Sequence, residues 1–203
     1  MKRFIIMTTA LLTLIGGVYA ADFPMGAETS DGQPVTLNED NTWEYMPVLN
    51  KPSTAKKVLK SKKKFVEIWY DSNKWKETEK PLNGAAEFSM IHQSGGGYSV
   101  MIIEKIEMEL DVLKTTALTN AKKVAKDARV TYDEITQING ENVLVMDIKG
   151  TIEGIKFVYH SAYWSGPEGV FQIITYTSAD LFDKYFEDFE ELLAGIVVKT
   201  KNK

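Results

Sequence analysis

The fold of this chain is indicated most clearly by residues Val130–Tyr176, which read VTYDEITQINGENVLVMDIKGTIEGIKFVYHSAYWSGPEGVFQIITY. This stretch consists of runs rich in β-branched and aromatic residues, and short turn sequences such as Asn139-Gly140 and Glu153-Gly154 separate them. Because such short turns join neighbouring antiparallel strands, the stretch predicts four consecutive antiparallel strands. The predicted strands cover residues 130–138, 142–152, 155–164 and 170–176.

One amphipathic helix is predicted before this stretch and one after it. Residues 110–128 and 179–194 carry apolar side chains at helical spacing. Ser178 is a candidate N-cap of the second helix, and Gly195 is a candidate for its end. The acidic residues of the second helix are predicted to face solvent: Asp183, Glu187, Asp188, Glu190 and Glu191.

Further strands are predicted at residues 65–70, 87–92 and 98–104, ahead of the first helix. Runs of strands divided by two helices favour an α+β fold with an antiparallel β-sheet. We expect the helices to cover both faces of this sheet. A small N-terminal β-hairpin is also predicted, because two alternating runs, Pro34–Leu37 and Thr42–Tyr45, flank a turn-rich tetrad.

The first twenty residues predict secretion. Two basic residues precede an uncharged apolar run, Phe4–Val18, and Val18-Tyr19-Ala20 has compact residues where a signal peptidase reads them. We therefore predict a signal peptide with cleavage after Ala20, and a periplasmic or secreted product without a stable membrane anchor. The alternative, an uncleaved anchor, is less favoured because the run is shorter than the roughly 20 residues that span a bilayer.

Composition excludes several classes of function. Without the two basic residues of the predicted signal peptide, 22 basic residues remain against 28 acidic ones. This acidic balance argues against nucleic acid as a partner. The chain has no cysteine, so it has no disulfide, no thiol nucleophile, no cysteine-based metal site and no cysteine for lipid attachment.

The predicted organisation follows changes in composition along the chain. A Lys-rich linker is predicted between an N-terminal hairpin segment and the main domain, because this stretch holds seven lysines and no acid. An alternative interpretation is a basic patch for anionic lipid or an acidic partner. The predicted segments are a signal peptide (1–20), the hairpin segment (21–50), the linker (51–64), the α+β domain (65–198) and a basic tail (199–203).

No catalytic residue and no cofactor are predicted. The chain lacks a nucleophile elbow and a phosphate-binding loop, and its two histidines, His92 and His160, lie on predicted strands. They could bind Zn²⁺ only if the fold brought them together with a carboxylate. A cluster of acids could instead hold Ca²⁺, although a solvated acidic turn is favoured. The candidate metal ligands are Glu104, Glu107, Glu109 and Asp111.

An aromatic set near the last predicted turn is a candidate partner-binding patch. Tyrosine and tryptophan are enriched at protein interfaces, although part of this set must belong to the core. The candidates are Tyr159, Tyr163, Trp164 and Phe171, with Tyr176 nearby.

The order of elements and several segments resemble the Mog1/PsbP-like fold, and most closely bacterial secreted PsbP-like domains. These segments are Tyr70–Trp75, Ala86–Ser89, Asn139–Val143, Tyr159–Gly166 and Phe182–Leu193. The resemblance implies an α/β/α sandwich. It also implies an assembly factor, a stability factor or a partner-binding module rather than an enzyme, and it assigns no catalytic residue.

The N-terminal segment resembles a second, shorter pattern of bacterial secreted proteins, V-x-L-x-x-D-G-T-W-x-Y. Val35–Tyr45 matches it with Asn41 in place of the glycine. Because asparagine tolerates a left-handed backbone, we expect the hairpin to survive this change and to act as a structural strap.

Together these features predict a secreted or periplasmic, non-enzymatic binding or accessory module with a protein partner in the cell envelope. The alternative is a periplasmic protein that binds a small ligand or a metal. A hydrolase is the least favoured class, because no catalytic motif supports it.

Overall fold

The computed structural model describes residues 25–199. The predicted signal peptide and residues 200–203 of the predicted tail lie outside the described residues. A small sheet opens the described chain, with strands β1 (Met25–Glu28), β2 (Pro34–Leu37) and β3 (Trp43–Tyr45) in the order β1-β2-β3. The predicted hairpin is confirmed as β2 and β3, and Asn41 in its turn has a φ of 62°.

The central sheet has eight strands among the described residues. These are β4 (Val48–Leu49), β7 (Trp75–Glu77), β8 (Phe88–His92), β9 (Tyr98–Glu104), β10 (Arg129–Ile138), β11 (Glu141–Ile152), β12 (Ile155–Gly166) and β13 (Gly169–Ser178). Their order across the sheet is β4-β10-β11-β12-β13-β9-β8-β7. All neighbours are antiparallel except β4 and β10, which are parallel.

The four strands predicted from the turn sequences are confirmed as β10 to β13. Asn139 and Gly140 have φ angles of 49° and 85°, and Glu153 and Gly154 have angles of 52° and 84°. Two successive residues with positive φ are typical of the tight turn that matches the twist of paired strands. Turn chemistry therefore sets the neighbours in this half of the sheet.

The two helices are α1 (Leu110–Val124) and α2 (Phe182–Ala194), and a single 3₁₀ turn (Ala179–Leu181) precedes α2. The predicted first helix was too long, because the backbone of Ala125 is already extended. The predicted N-cap was also wrong. Ser178 makes no side-chain capping hydrogen bond, since the 3₁₀ turn lies between it and the start of α2.

The predicted linker is wrong in part, because residues 57–60 form a strand of a third sheet. Its strands are β5 (Lys57–Lys60), β6 (Val66–Tyr70) and β14 (Ile196–Val198), in the order β14-β6-β5. The lysines of β5 are exposed while Leu59 is 6% exposed, because an edge strand buries one side chain and leaves its neighbours in water. The predicted tail is wrong at its first residue. Lys199 is attached to the fold, because its amine donates a hydrogen bond to Glu67.

The helices pack on opposite faces of the central sheet, as predicted. On one face, α1 buries Leu113 and Ala121 against Met146 and its neighbours. On the other face, α2 and the third sheet enclose the larger core, which includes Phe189 and Ile68. Alternate residues of each strand pack into one core or the other, because successive strand side chains point to opposite faces.

Candidate functional site

A buried ion cluster links the central sheet to α2. Asp147 and His160 are directly opposite each other on β11 and β12, and Glu190 reaches them from α2. The Nδ1 atom of His160 lies 2.7 Å from Oδ1 of Asp147, and its Nε2 atom lies 2.7 Å from Oε1 of Glu190. His160 is only 2% exposed.

Both ring nitrogens of His160 are therefore engaged by carboxylates. Burial alone lowers the pKa of His160, but its hydrogen bonds to Asp147 and Glu190 and their charges outweigh burial and raise this pKa to about 9. At neutral pH the ring is a cation that donates from both nitrogens. It has no free nitrogen with which to act as a general base, so this cluster stabilises the packing of α2 on the sheet.

A second polar cluster joins the β7–β8 edge to α2. The amine of Lys74 lies 2.7 Å from Oδ1 of Asp188 and 2.8 Å from Oε2 of Glu191. The Nε2 atom of His92 lies 3.1 Å from Oδ2 of Asp188. The carboxylates of Asp188, Glu190 and Glu191 thus meet basic groups, which corrects the prediction that they face only solvent.

His92 also contacts Ser94, so a serine, a histidine and an aspartate lie in a row. The Oγ atom of Ser94 is 2.9 Å from Nδ1 of His92. The same nitrogen accepts the Ser94 backbone N–H at 3.3 Å, and Oγ lies 3.1 Å from the Tyr185 hydroxyl. Gly95 N–H, a neighbouring donor, is already bound to the His92 carbonyl. These contacts close the glycine-rich hairpin onto α2.

The predicted metal sites are not assembled within residues 25–199. No group of three or more histidine, aspartate or glutamate side chains there could hold a metal ion. His92 and His160 lie on strands three positions apart, which corresponds to about 14 Å at the usual strand spacing. The four candidate acids run from the end of β9 to the first turn of α1, and only Glu109 and Asp111 line one cleft together.

The predicted aromatic patch is mostly core. Trp164 and Phe171 stack with ring centroids 5.7 Å apart and are 5% and 0% exposed. Tyr163 is 1% exposed. Of the four candidates, Tyr159 alone remains partly accessible, and it lines a groove beside α1 with the neighbouring Tyr176.

A groove of about 420 Å³ lies where α1 leaves the central sheet uncovered. Its walls are one side of α1, around Asn120, and the segment 82–85. Its floor comes from the faces of β9, β12 and β13 that point toward α1. Floor residues include Val100, Ile102, Tyr163, Gln172, Ile174 and Tyr176.

Two tyrosines of the groove, Tyr159 and Tyr176, belong to a row that crosses three strands. Tyr159, Tyr176 and Tyr98 are register partners on three adjacent strands, with ring centroids 5.8 Å and 5.2 Å apart. Burial raises the pKa of Tyr159, and burial with the neighbouring tyrosines raises that of Tyr176 to about 12. Their hydroxyls are therefore neutral at physiological pH and can donate or accept hydrogen bonds.

An exposed aromatic pair occupies strand β3, at the edge of the small sheet. Trp43 and Tyr45 are 43% and 65% exposed, and their rings meet edge to face with centroids 5.4 Å apart. They share one face of the strand, with Glu44 between them. The sequence pattern predicted these residues only as part of a structural strap, although the alternation of Trp43 and Tyr45 with polar residues already indicated an exposed aromatic face.

The chain is similar in structure to two solved proteins. The solution structure of cyanobacterial PsbP (CyanoP) from Synechocystis sp. PCC 6803 aligns with a TM-score of 0.56 and 10% identity, over 72% of this chain and 94% of that one. LpqN of Mycobacterium tuberculosis, described as involved in cell envelope biogenesis, aligns with a TM-score of 0.48 and 10% identity, over 71% and 90%. On the alignment with CyanoP, this chain has a PsbP-like fold.

At 10% identity the likeness to PsbP concerns the fold alone and transfers no residue's role. Neither a protein-family model nor a curated protein sequence matches the chain. Within residues 25–199, no helix is both long enough and apolar enough to cross a membrane.

Proposed function

We propose that this chain is an extracytoplasmic, non-enzymatic accessory module that binds a protein partner of the cell envelope through strand β3. The observation that carries the proposal is the exposed pair of Trp43 and Tyr45 on an edge strand. Tryptophan and tyrosine dominate the binding energy of many protein interfaces. An edge strand also offers unpaired backbone groups to an extended segment of a partner.

The engagement of the ionisable side chains supports a binding role over catalysis. His160 is held between two carboxylates, and His92 is held by Asp188 and Ser94. The acidic side chains of Glu39 and Glu44 are exposed near the aromatic pair. A partner segment with lysine or arginine residues would complement these charges.

Site-specific photo-crosslinking tests this surface. We expect a photoreactive residue in place of Tyr45, in the full chain expressed in its native host, to yield one discrete adduct with an envelope protein. The matched control is Tyr132, another exposed strand tyrosine. Mass spectrometry identifies the adduct. Equal labelling from both positions, or none from position 45, would contradict the proposed surface.

Trp43→Ala is expected to reduce capture of that partner at least tenfold. An interface hot spot contributes about 2 kcal/mol or more, whereas an exposed side chain contributes about 0.5 kcal/mol or less to folding. Quantitative pull-down and a thermal melt separate the two effects. Unchanged capture by a stably folded variant would refute the role of Trp43.

The extracytoplasmic location is tested by the N-terminus of the exported protein. We expect mass spectrometry of protein from the periplasmic or culture fraction to find a chain that begins at Ala21. Ala20→Leu should leave the precursor uncleaved, because the peptidase requires a small residue there. An intact precursor recovered from the cytoplasm of cells that express the unaltered chain would contradict this location.

A further inference from the structure

The groove beside α1 contains a polar side chain without a protein partner. Gln172 lies on β13 and is 8% exposed, and it lines the groove. No hydrogen bond joins its side-chain amide to another residue between 25 and 199. The amide is not fully enclosed by protein, so it is accessible from the groove, where it can donate and accept hydrogen bonds.

The surroundings of Gln172 indicate which class of molecule could carry a group that pairs with its amide. None of the described residues that line the groove is charged, and most are aliphatic, including Val100, Ile102 and Ile174. The other polar groups are the neutral tyrosine hydroxyls and the amides of Asn83 and Asn120. A charged ligand would lose its hydration without gaining an opposite charge.

We propose that the groove binds an uncharged, mainly aliphatic small molecule whose carboxamide or similar neutral group pairs with Gln172. The volume of about 420 Å³ lies within the range of roughly 300–1,000 Å³ that is usual for small-molecule sites. Such sites combine apolar walls with a few oriented polar groups. This site is separate from strand β3 and does not depend on the proposed protein partner.

The two walls of the groove also present exposed aliphatic side chains. Leu82 on one wall is 44% exposed, and Val124 on the opposite wall is 58% exposed. Both belong to the lining, so the aliphatic part of a bound molecule would remove them from water. The apolar walls and the unpaired amide on the floor therefore point to the same kind of ligand.

Three probes with the same alkyl chain test the proposal: octanamide, octanoate and octylammonium at pH 7. We expect NMR titration of the purified protein to show octanamide binding at least tenfold more tightly than either charged probe, with shifts at groove residues. Gln172→Leu should weaken octanamide binding at least tenfold, because a site built around a hydrogen bond rejects a mismatch strongly. Its melting temperature should not fall, because the substitution removes no hydrogen bond within the protein.

The matched control is Gln137→Leu, which changes a strand glutamine outside the groove and should leave octanamide binding unchanged. Val124→Asp, at an exposed position of the wall, should weaken binding without unfolding the protein. Equal binding of all three probes would overturn the proposal, as would unchanged octanamide binding by the Gln172 variant. Shifts confined to residues outside the groove would overturn it too.

Discussion

His160→Gln is expected to lower the free energy of unfolding by about 3–5 kcal/mol at pH 7. The change removes the cation that Asp147 and Glu190 share and leaves a buried carboxylate beside a half-buried one without a positive partner. Removing one member of a buried ion pair typically costs this much, because the remaining charge stays desolvated. Urea unfolding followed by tryptophan fluorescence measures the change.

The pH dependence separates the charge of His160 from its shape. Its pKa is about 9 in the folded chain and 6.5 in the unfolded one. A raised pKa means that the protonated ring contributes stability fully below pH 6.5, and this contribution disappears as the pH rises through 9. The shift corresponds to about 3 kcal/mol.

We therefore expect the stability difference between the unaltered chain and His160→Gln to be large at pH 6 and to shrink by about 3 kcal/mol by pH 10. A difference that stays constant over this range would contradict a charged His160. Glu187→Gln is the matched control, because Glu187 is exposed on the same helix. It should change stability by about 0.5 kcal/mol or less.

Gly195→Ala is expected to destabilise the fold by about 3 kcal/mol or more. A Cβ atom at this position would lie 1.8 Å from the Trp69 carbonyl oxygen and 2.9 Å from its carbon. The φ of Gly195 is −77°, which any residue can adopt, so the effect is purely one of space. The clash would push β14 away from β6, where Ile196 and Ile68 are paired in the core.

Gly84→Ala is the matched control for that substitution. Nothing lies within 4 Å of a Cβ atom at Gly84, and its φ is not in the left-handed region. We expect its unfolding midpoint to match that of the unaltered chain, because alanine there costs no contact. Similar midpoints for the two alanine variants would show that β14 can move without loss.

Local sequence predicted the turn at Asn139 but not the contacts that its side chain makes. The Asn-Gly pair indicated a hairpin, and the φ angles agree. The Asn139 side chain does more than form a turn. Its amide donates to the carbonyls of Ala194 and Ile196 at 2.8 and 2.6 Å, and its oxygen accepts from the Lys51 N–H. These partners are 55, 57 and 88 residues away in sequence, so no local pattern could indicate them.

The predicted site contains errors for the same reason, since the partners of its residues are distant in sequence. Asp188, Glu190 and Glu191 sit on the polar side of an amphipathic helix, and helical periodicity assigns such residues to water. The sheet instead supplies His160 and His92, and the neighbouring turn supplies Lys74. Similarly, Trp164 and Phe171 form a candidate surface patch in sequence, but two packed layers enclose them.

Turn geometry and side-chain periodicity act over a few residues, so the local sequence was enough to predict the α+β class, the four consecutive strands, the two helices and the hairpin with Asn41. Three other properties became visible only in the packed structure: the Lys-rich segment contributes strand β5, His160 is a cation shared by two carboxylates, and Gln172 lies in the groove beside α1. Those properties depend on residues far apart in the chain, whose contacts exist only after the layers pack.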